Sequence, residues 1–131
     1  MSTSTTPVMV FNAVDNIRAS ASLAAGASAN ADVDYSVVFE AQVHVKNTPG
    51  GTVAVTRGLR IDVYKRTGNG PTTADSPFIT FFLPSTTAST AESLDFYLPT
   101  GKYNIKVTNL DVTNAITVAV GADTVSSLLN T

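Results

Sequence analysis

The single histidine of the chain, His44, is the most plausible general base in the sequence. Nucleophilic catalysis needs such a base beside a hydroxyl or thiol, and a third group that orients the base. His44 stands between Gln42 and Lys46 on the polar positions of an alternating segment, which is typical of a solvated strand histidine. The motifs Gly-x-Ser-x-Gly, Ser-x-x-Lys and His-Glu-x-x-His are absent. We therefore predict no catalytic residue and no enzymatic activity, and keep a small hydrolase built on His44 as a third hypothesis.

Metal binding is equally poorly supported. One histidine and no cysteine leave almost no ligands for zinc. Calcium needs only oxygen ligands, and Asp111 with Asn109 and Asn114, or Asp32 with Asp34, could supply them. Asx turns are the commoner use of such residues. We predict no metal and no cofactor.

Carbohydrate chemistry needs either paired carboxylates or exposed aromatic rings. Glu40 and Asp62 fall on the polar face of a predicted hairpin, and glycoside hydrolysis needs two carboxylates roughly 5 to 9 Å apart. Lysine and arginine neighbours favour surface ion pairs for both carboxylates. Tyr64 and Tyr97 are the aromatic residues on outward positions, so they are the candidates for a lectin-like platform in a chain without tryptophan.

Nucleic acid and membrane are not expected partners. The net charge is −2, and phosphate binding needs clustered cations. The four Lys and Arg residues that come closest to forming a cluster have Asp62 among them. Gly68-Asn-Gly70 is not followed by a helix, so no helix N-terminus is available there to bind an anion. No apolar run approaches the ~18 residues of a membrane span, and Met1 to Thr6 lack the features of a signal peptide. The cluster consists of Arg57, Arg60, Lys65 and Arg66.

The clearest structural signal is an alternation from Val33 to Lys46. Apolar residues occupy the odd positions and polar residues nearly all the even ones, which predicts a strand with one buried face. Asn47 to Gly51 reads as a turn, and the alternation resumes from Val53 to Val63 with a bulge at Arg57-Gly58. The two segments predict a hairpin.

The remaining segments predict an all-β antiparallel sandwich, of jelly-roll or Greek-key type, with about eight strands. We predict that residues 1–6 are a flexible N-terminal arm and that residues 7–131 are a single domain. For residues 13–31 both strand and helix remain open. Gly121 is expected to end a strand, and Thr124 to Leu129 to form a short strand or a helical turn. Further strands are predicted at Pro7–Phe11, Phe78–Leu83 (covered on both sides), Leu94–Leu98, Tyr103–Val107 and Ile116–Val120. Loops are predicted at Thr67–Pro77 and Pro84–Glu92, and turns at Pro99–Lys102 and Asn109–Asn114.

Leu98 to Val107 resembles the strand-turn-strand corner of Greek-key sandwiches, in which a tyrosine just after the turn bonds to backbone. Tyr103 occupies that position. The resemblance concerns the fold and carries no information on function.

The whole pattern resembles accessory virion proteins of tailed bacteriophages, particularly capsid decoration (cement) proteins. The shared features are a Ser-Thr arm at Met1 to Thr6, no cysteine, a β domain rich in Thr, Val and Ala, and few charges: 14% of residues here, against about 25% in ordinary domains. The family has no common motif, so no functional residue is carried over.

The resemblance implies a non-enzymatic structural protein on the outer capsid surface of the virion, made in the host cytoplasm. Its partners would be the major capsid protein and further copies of itself, as a homotrimer. The alternative is a tail or fibre binding module, directed to carbohydrate or a receptor. The sequence leaves the choice between capsid and tail open.

Overall fold

The structure is a computed structural model of the 131-residue chain. It describes residues 7–11, 15–50, 58–66, 76–84 and 89–130. These ranges contain strands and no helix, so the predicted all-β class is confirmed. The predicted arm, residues 1–6, and most of the loop at 67–77 lie outside the described residues.

Within these ranges seven strands form one antiparallel sheet. Six of them follow the order β1-β7-β3-β6-β4-β5, and the seventh, β2, pairs with β7. β2 pairs with the first half of β7, up to Ala122, and β1 pairs with the second half, from Val125 onward. Residues 13–31 are therefore extended wherever they are described, with a turn at Gly26. The strands are β1 Pro7–Phe11, β2 Asp15–Leu23, β3 Ser28–Pro49, β4 Leu59–Lys65, β5 Ile79–Leu83, β6 Glu92–Asn109 and β7 Ile116–Asn130.

The longest strand pair, β3 with β6, is interrupted by a wide bulge. The register passes from Tyr35 opposite Gly101 to Glu40 opposite Pro99, so residues 36–39 have only Thr100 across from them. The Thr100 hydroxyl donates hydrogen bonds to the carbonyl oxygens of Val38 (2.6 Å) and Phe39 (3.1 Å). A bulge bends the strand that carries it. We call residues 36–39 and 99–101 together the bend.

The core lies on the odd-numbered face of β3, as the alternation predicts, but the prediction is wrong at Val37 and Phe39, which lie in the bulge and are 85% and 58% exposed. Val33, Val43 and Val45 are buried, and they belong to one apolar cluster with β4, β6 and β7. Residues on both sides of the bend contribute to this cluster. The burial of these apolar side chains is the main contribution to the stability of the folded domain. The largest fully buried apolar side chains are Tyr103, Leu59, Ile61, Leu98, Ile116, Val43, Val45, Val63 and Val118.

The predicted hairpin is wrong. β3 pairs with β6 and β7, whereas β4 lies between β5 and β6. Alternation reveals which face of a strand is buried, but it does not reveal which strand lies beside it. The predicted turn at Asn47 is also wrong in part, because β3 continues to Pro49 and the Asn47 side chain is fully buried.

Two further predictions fail for related reasons. Gly121 does not end a strand, since β7 runs through it and pairs on both sides there, with Asn16 and His44. The segment ending at Leu83 is not covered on both sides. Among the described strands β5 is an edge that pairs only with β4, and 63% of Phe82 is exposed.

The predicted tyrosine contact is present without the predicted chain reversal. β6 runs unbroken through residues 99–102, and the Tyr103 hydroxyl donates a 2.9 Å hydrogen bond to the carbonyl oxygen of Pro99. Burial raises the pKa of the Tyr103 phenol, so the donor stays protonated. A side chain at Gly101 would bring its Cβ within 3.2 Å of that hydroxyl, which explains the glycine.

We expect Tyr103→Phe to lower the free energy of unfolding by about 1 kcal/mol, because it removes this hydrogen bond and keeps the ring. Urea denaturation followed by circular dichroism measures the change. Tyr97→Phe is the matched control, since 63% of Tyr97 is exposed, and it should leave the stability unchanged. Equal stabilities of the Tyr103 variant and the parent protein would show that the hydroxyl contributes nothing to the corner.

Candidate functional site

The most concentrated polar cluster on the sheet is centred on His44. β3 is flanked by β6 and β7 at this point, so side chains from three strands meet on its outward face. His44 Nδ1 lies 2.8 Å from Asp95 Oδ1, and His44 Nε2 lies 3.0 Å from Asp123 Oδ2. Asp95 is the direct cross-strand neighbour of His44, whereas Asp123 lies diagonally, opposite Gln42. We call His44, Asp95 and Asp123 the three-strand clamp.

The geometry of the clamp determines its protonation. Ionised carboxylates only accept hydrogen bonds, and a neutral imidazole carries one N–H. Both bonds therefore form together only when His44 is an imidazolium. The hydrogen bond to Asp95, and then that to Asp123, raise the pKa of His44, while partial burial opposes them. The contacts of the clamp therefore favour the imidazolium form of His44.

The surroundings of the clamp are polar and partly exposed. Tyr97 and Asp123 both lie opposite Gln42, one on each side of β3, and Lys46 lies two residues beyond His44 on the same face. Among the outward residues around His44, Tyr97 is the one aromatic residue. The outward positions around His44 are Gln42 and Lys46 on β3, Ser93, Asp95 and Tyr97 on β6, and Ala119, Gly121 and Asp123 on β7.

The clamp is poorly arranged for catalysis. A general base needs a free ring nitrogen that faces the proton to be removed. Both nitrogens of His44 are occupied by carboxylates, and neither bonds to a hydroxyl. The hydrolase hypothesis required a carboxylate and a serine on the same histidine, and among the described residues His44 bonds to the carboxylates alone. In the part of the chain that the structure describes, no three His, Cys, Asp or Glu side chains form a metal site.

The oxygen-rich segment at Asn109 is a structural turn. Asp111 Oδ2 accepts hydrogen bonds from the backbone N–H groups of Thr113 (3.1 Å) and Asn114 (2.5 Å). Asn109 Oδ1 accepts from the backbone N–H of Asp111 at 3.0 Å. These are Asx-type contacts, in which the side-chain oxygens bond to the protein's own backbone.

The second calcium candidate is likewise directed at protein groups. Asp32 Oδ1 accepts a 2.7 Å hydrogen bond from Asn104 and lies 3.6 Å from the Arg66 guanidinium. Asp34 accepts from the hydroxyl and backbone N–H of Ser36, and these bonds lower the pKa of Asp34. Neither carboxylate is arranged with the other around a common point.

The outward exposure predicted for Tyr64 and Tyr97 is confirmed for one of them. Tyr97 is exposed as predicted, but Tyr64 is only 8% exposed, because β4 is an interior strand with buried residues at both parities. Glu40 and Asp62 do not share a hairpin. Asp62 is buried on β4, where it accepts from Arg60 Nε (2.9 Å) and the Thr80 hydroxyl (2.8 Å).

The basic residues separate into two groups. Arg60 pairs with Asp62, while Lys65 and Arg66 lie at the end of β4 beside Lys102 of β6. Together with residues 99–101 and 103, these three cations line an open depression of about 230 Å³ next to the bend. The sequence did not point to Lys102, because its proximity depends on the pairing of β4 with β6. Arg57 lies outside the described residues.

A smaller cavity, of about 90 Å³, lies between β2 and the first part of β3. Arg18 borders it and donates hydrogen bonds to the carbonyl oxygens of Ala21 and Ser22 in its own strand. The other residues around it are mostly apolar: Ile17, Ala29, Asn30, Ala31, Ile105, Val107 and Val120.

No protein-family model matches the chain, and no curated protein matches it. Its residue roles therefore rest on geometry alone. Within the described ranges, no helix is long and apolar enough to cross a membrane.

Proposed function

We propose that the chain is a non-enzymatic structural protein that binds the outer capsid surface of a virus particle and stabilises the shell. The observation that carries this proposal is the exposure of large apolar side chains around the bend. Val37 is 85% exposed, Phe39 58% and Phe78 45%. Scattered exposed apolar residues are ordinary, but a group of them at one end of a domain indicates a contact surface for another protein.

Three of the exposed apolar side chains, Val37, Phe39 and Phe78, lie at or beside the bend. The Thr100 hydroxyl donates a hydrogen bond to the carbonyl oxygen of Phe39. The ring of Phe78 lies 6.2 Å from the ring of Tyr103. The Tyr103 hydroxyl donates a hydrogen bond to the carbonyl oxygen of Pro99. We call Val37, Phe39 and Phe78, together with the depression beside them, the bend end.

The proposed mechanism is mechanical. Shells under internal pressure fail where subunits meet, and a rigid domain that spans such a junction adds contact area that must be lost before the subunits part. Stable specific interfaces bury about 1,200 to 2,000 Å². In this proposal the sheet segments on either side of the bend are the two layers of a β-sandwich. Three copies associate around a threefold position of the major capsid protein, on the outer capsid surface, after synthesis in the host cytoplasm.

Shell binding tests the proposal. Purified protein is mixed with capsids that lack it, and the capsids are recovered by sedimentation. We expect saturable binding and greater resistance of the capsids to heat. We also expect Phe39→Asp with Phe78→Asp to weaken binding by at least about tenfold, because each carboxylate would be desolvated at an apolar contact. Phe82→Asp, on the exposed face of β5, is the matched control. Absence of binding by the parent protein, or equal loss with the control, would contradict the proposal.

A tail or fibre module directed to carbohydrate is the second candidate. The exposed ring of Tyr97, with Gln42 beside it and the carboxylate of Asp123 next to Gln42, favours it, because sugars stack on aromatic rings and bond to amides and carboxylates. Glycan-array binding that is lost in Tyr97→Ala would favour this function over capsid binding.

A further inference from the structure

The depression at the bend end holds the densest group of cations among the described residues. Lys65, Arg66 and Lys102 all line it, in a chain that has eight Lys and Arg in total and a net charge of −2. Residues 99–101 and Tyr103 complete its lining. A local positive potential in an otherwise acidic protein attracts anionic groups.

The three cations differ in their roles. The Arg66 side chain is 10% exposed; its guanidinium lies 3.6 Å from Asp32, and its NH1 donates to the carbonyl oxygen of Val33 at 3.4 Å. Its backbone N–H donates to the carbonyl oxygen of Lys102 at 2.9 Å, which joins the two sides of the depression. Arg66 therefore shapes the depression and supplies a fixed charge beneath its surface.

Lys65 and Lys102 are the more accessible cations. Lys65 is exposed, and its Nζ lies 4.4 Å from the centre of the Phe78 ring. A cation over an aromatic face is held in place and still has N–H groups to donate. Lys102 is half-buried, and the carboxylate near it is Asp34. Asp32 and Asp34 oppose two of these cations, since Asp32 lies 3.6 Å from the Arg66 guanidinium and Asp34 interacts electrostatically with Lys102.

We propose that this depression binds a carboxylate side chain from an acidic segment of a partner protein, with an apolar residue of that segment lying against the rim. The apolar rim distinguishes this occupant from other anions. Phe78 is 45% exposed and lies beside two residues that line the depression, Lys65 and Tyr103, so a ligand that covers it must itself be partly apolar. A carboxylate that meets ammonium groups forms charge-assisted hydrogen bonds, which are stronger than neutral ones.

Nucleic acid and free phosphate fit less well. Polyanion binding needs a run of cations that neutralises many phosphates, whereas this site has three cations and two opposing carboxylates. The one arginine, whose fork would suit a phosphate, already faces Asp32 and Val33. This inference rests on the proposed function in one respect: it assumes that the partner is a protein.

A peptide titration tests the inference. ¹⁵N-labelled protein is titrated with the peptide acetyl-Leu-Asp-Glu-Leu-amide, with its uncharged counterpart acetyl-Leu-Asn-Gln-Leu-amide, and with inorganic phosphate. We expect saturable shifts of the amide signals of residues 100–103 with the acidic peptide, and at least about tenfold weaker binding of the other two. No shift at these residues would overturn the proposal. An equal response to phosphate would mean an adventitious ion only.

Variants locate the site. Lys65→Glu with Lys102→Glu should weaken peptide binding by at least about tenfold, while Lys46→Glu, on the outward face beside His44, should change it by less than about twofold. Lys65→Gln with Lys102→Gln replaces the first variant if that one fails to fold. An equal loss with Lys46→Glu would overturn the site, because it would reduce the effect to net charge. The titration contains no capsids, so it tests this inference separately from the proposed function. Peptide binding without capsid binding would contradict only the proposed function. Capsid binding without peptide binding would contradict only this inference.

Discussion

Replacing Asn109 with alanine is expected to lower the free energy of unfolding by about 3 kcal/mol, because the amide of this residue joins three segments of backbone. Asn109 is fully buried. Its Nδ2 lies 3.1 Å from the carbonyl oxygen of Leu23, 3.2 Å from that of Ala24 and 2.9 Å from that of Asn114, and its Oδ1 accepts from Asp111. Alanine leaves these buried groups without their partner, and each buried group left unsatisfied costs about 1 to 3 kcal/mol.

Urea denaturation measures this loss, and Asn30→Ala is the matched control. Asn30 is exposed and its side chain makes one long contact, 3.4 Å from Asn104, so its loss should change stability by less than about 0.5 kcal/mol. If the two variants were equally stable, the Asn109 amide would not be the junction that ties the end of β2 to the turn between β6 and β7.

The second large effect concerns the three-strand clamp. Glutamine at position 44 should lower the free energy of unfolding by about 1 kcal/mol at pH 6, after allowance for solvent screening of a side chain that is 35% exposed. Two carboxylates hold the imidazolium in the folded state, so the pKa of His44 is higher in the folded than in the unfolded chain.

The sign of the pH dependence follows from that direction. A group whose pKa is raised by folding stabilises the protein fully below its unfolded pKa, about 6.5 for histidine, and this contribution is lost as the pH rises through the folded pKa. The stability difference between the parent protein and His44→Gln should therefore be largest at pH 6 and smaller at pH 9.

Denaturation curves at both pH values check this expectation. Lys46→Gln is the control, because it removes a positive charge from the same face without touching the clamp, and its effect should be small at both pH values. If the difference in free energy of unfolding between the parent protein and His44→Gln stayed constant from pH 6 to pH 9, the stabilising contacts of the two carboxylates would not depend on the imidazolium form of His44.

The buried face of the fold could be predicted from the sequence, and the partners of the strands could not. A period of two places Val43 and Val45 inside because the pleat alternates side chains between faces. The pairing of β3 with β6 and β7 depends on contacts between residues that are distant in the chain. Local alternation carries no information about such contacts. The hairpin error and the wrong exposure of Tyr64 both follow from that single limit.

The candidate sites show the same division. The polar position of His44 was predicted. Its two carboxylate partners could not be, because Asp95 and Asp123 lie 51 and 79 positions further along the chain. Lys102 meets Lys65 only because β6 lies beside β4. By contrast, the Asp111 turn and the hydrogen bond from Tyr103 to Pro99 could be predicted, because these contacts span only two to four residues.

The measurement that tests the central claim most directly is immunogold electron microscopy of virus particles from the source of the chain, with antibody raised against the purified protein. The account predicts gold distributed regularly over the outer surface of the capsid shell. Gold confined to the tail or its tip, or particles that carry none, would contradict it.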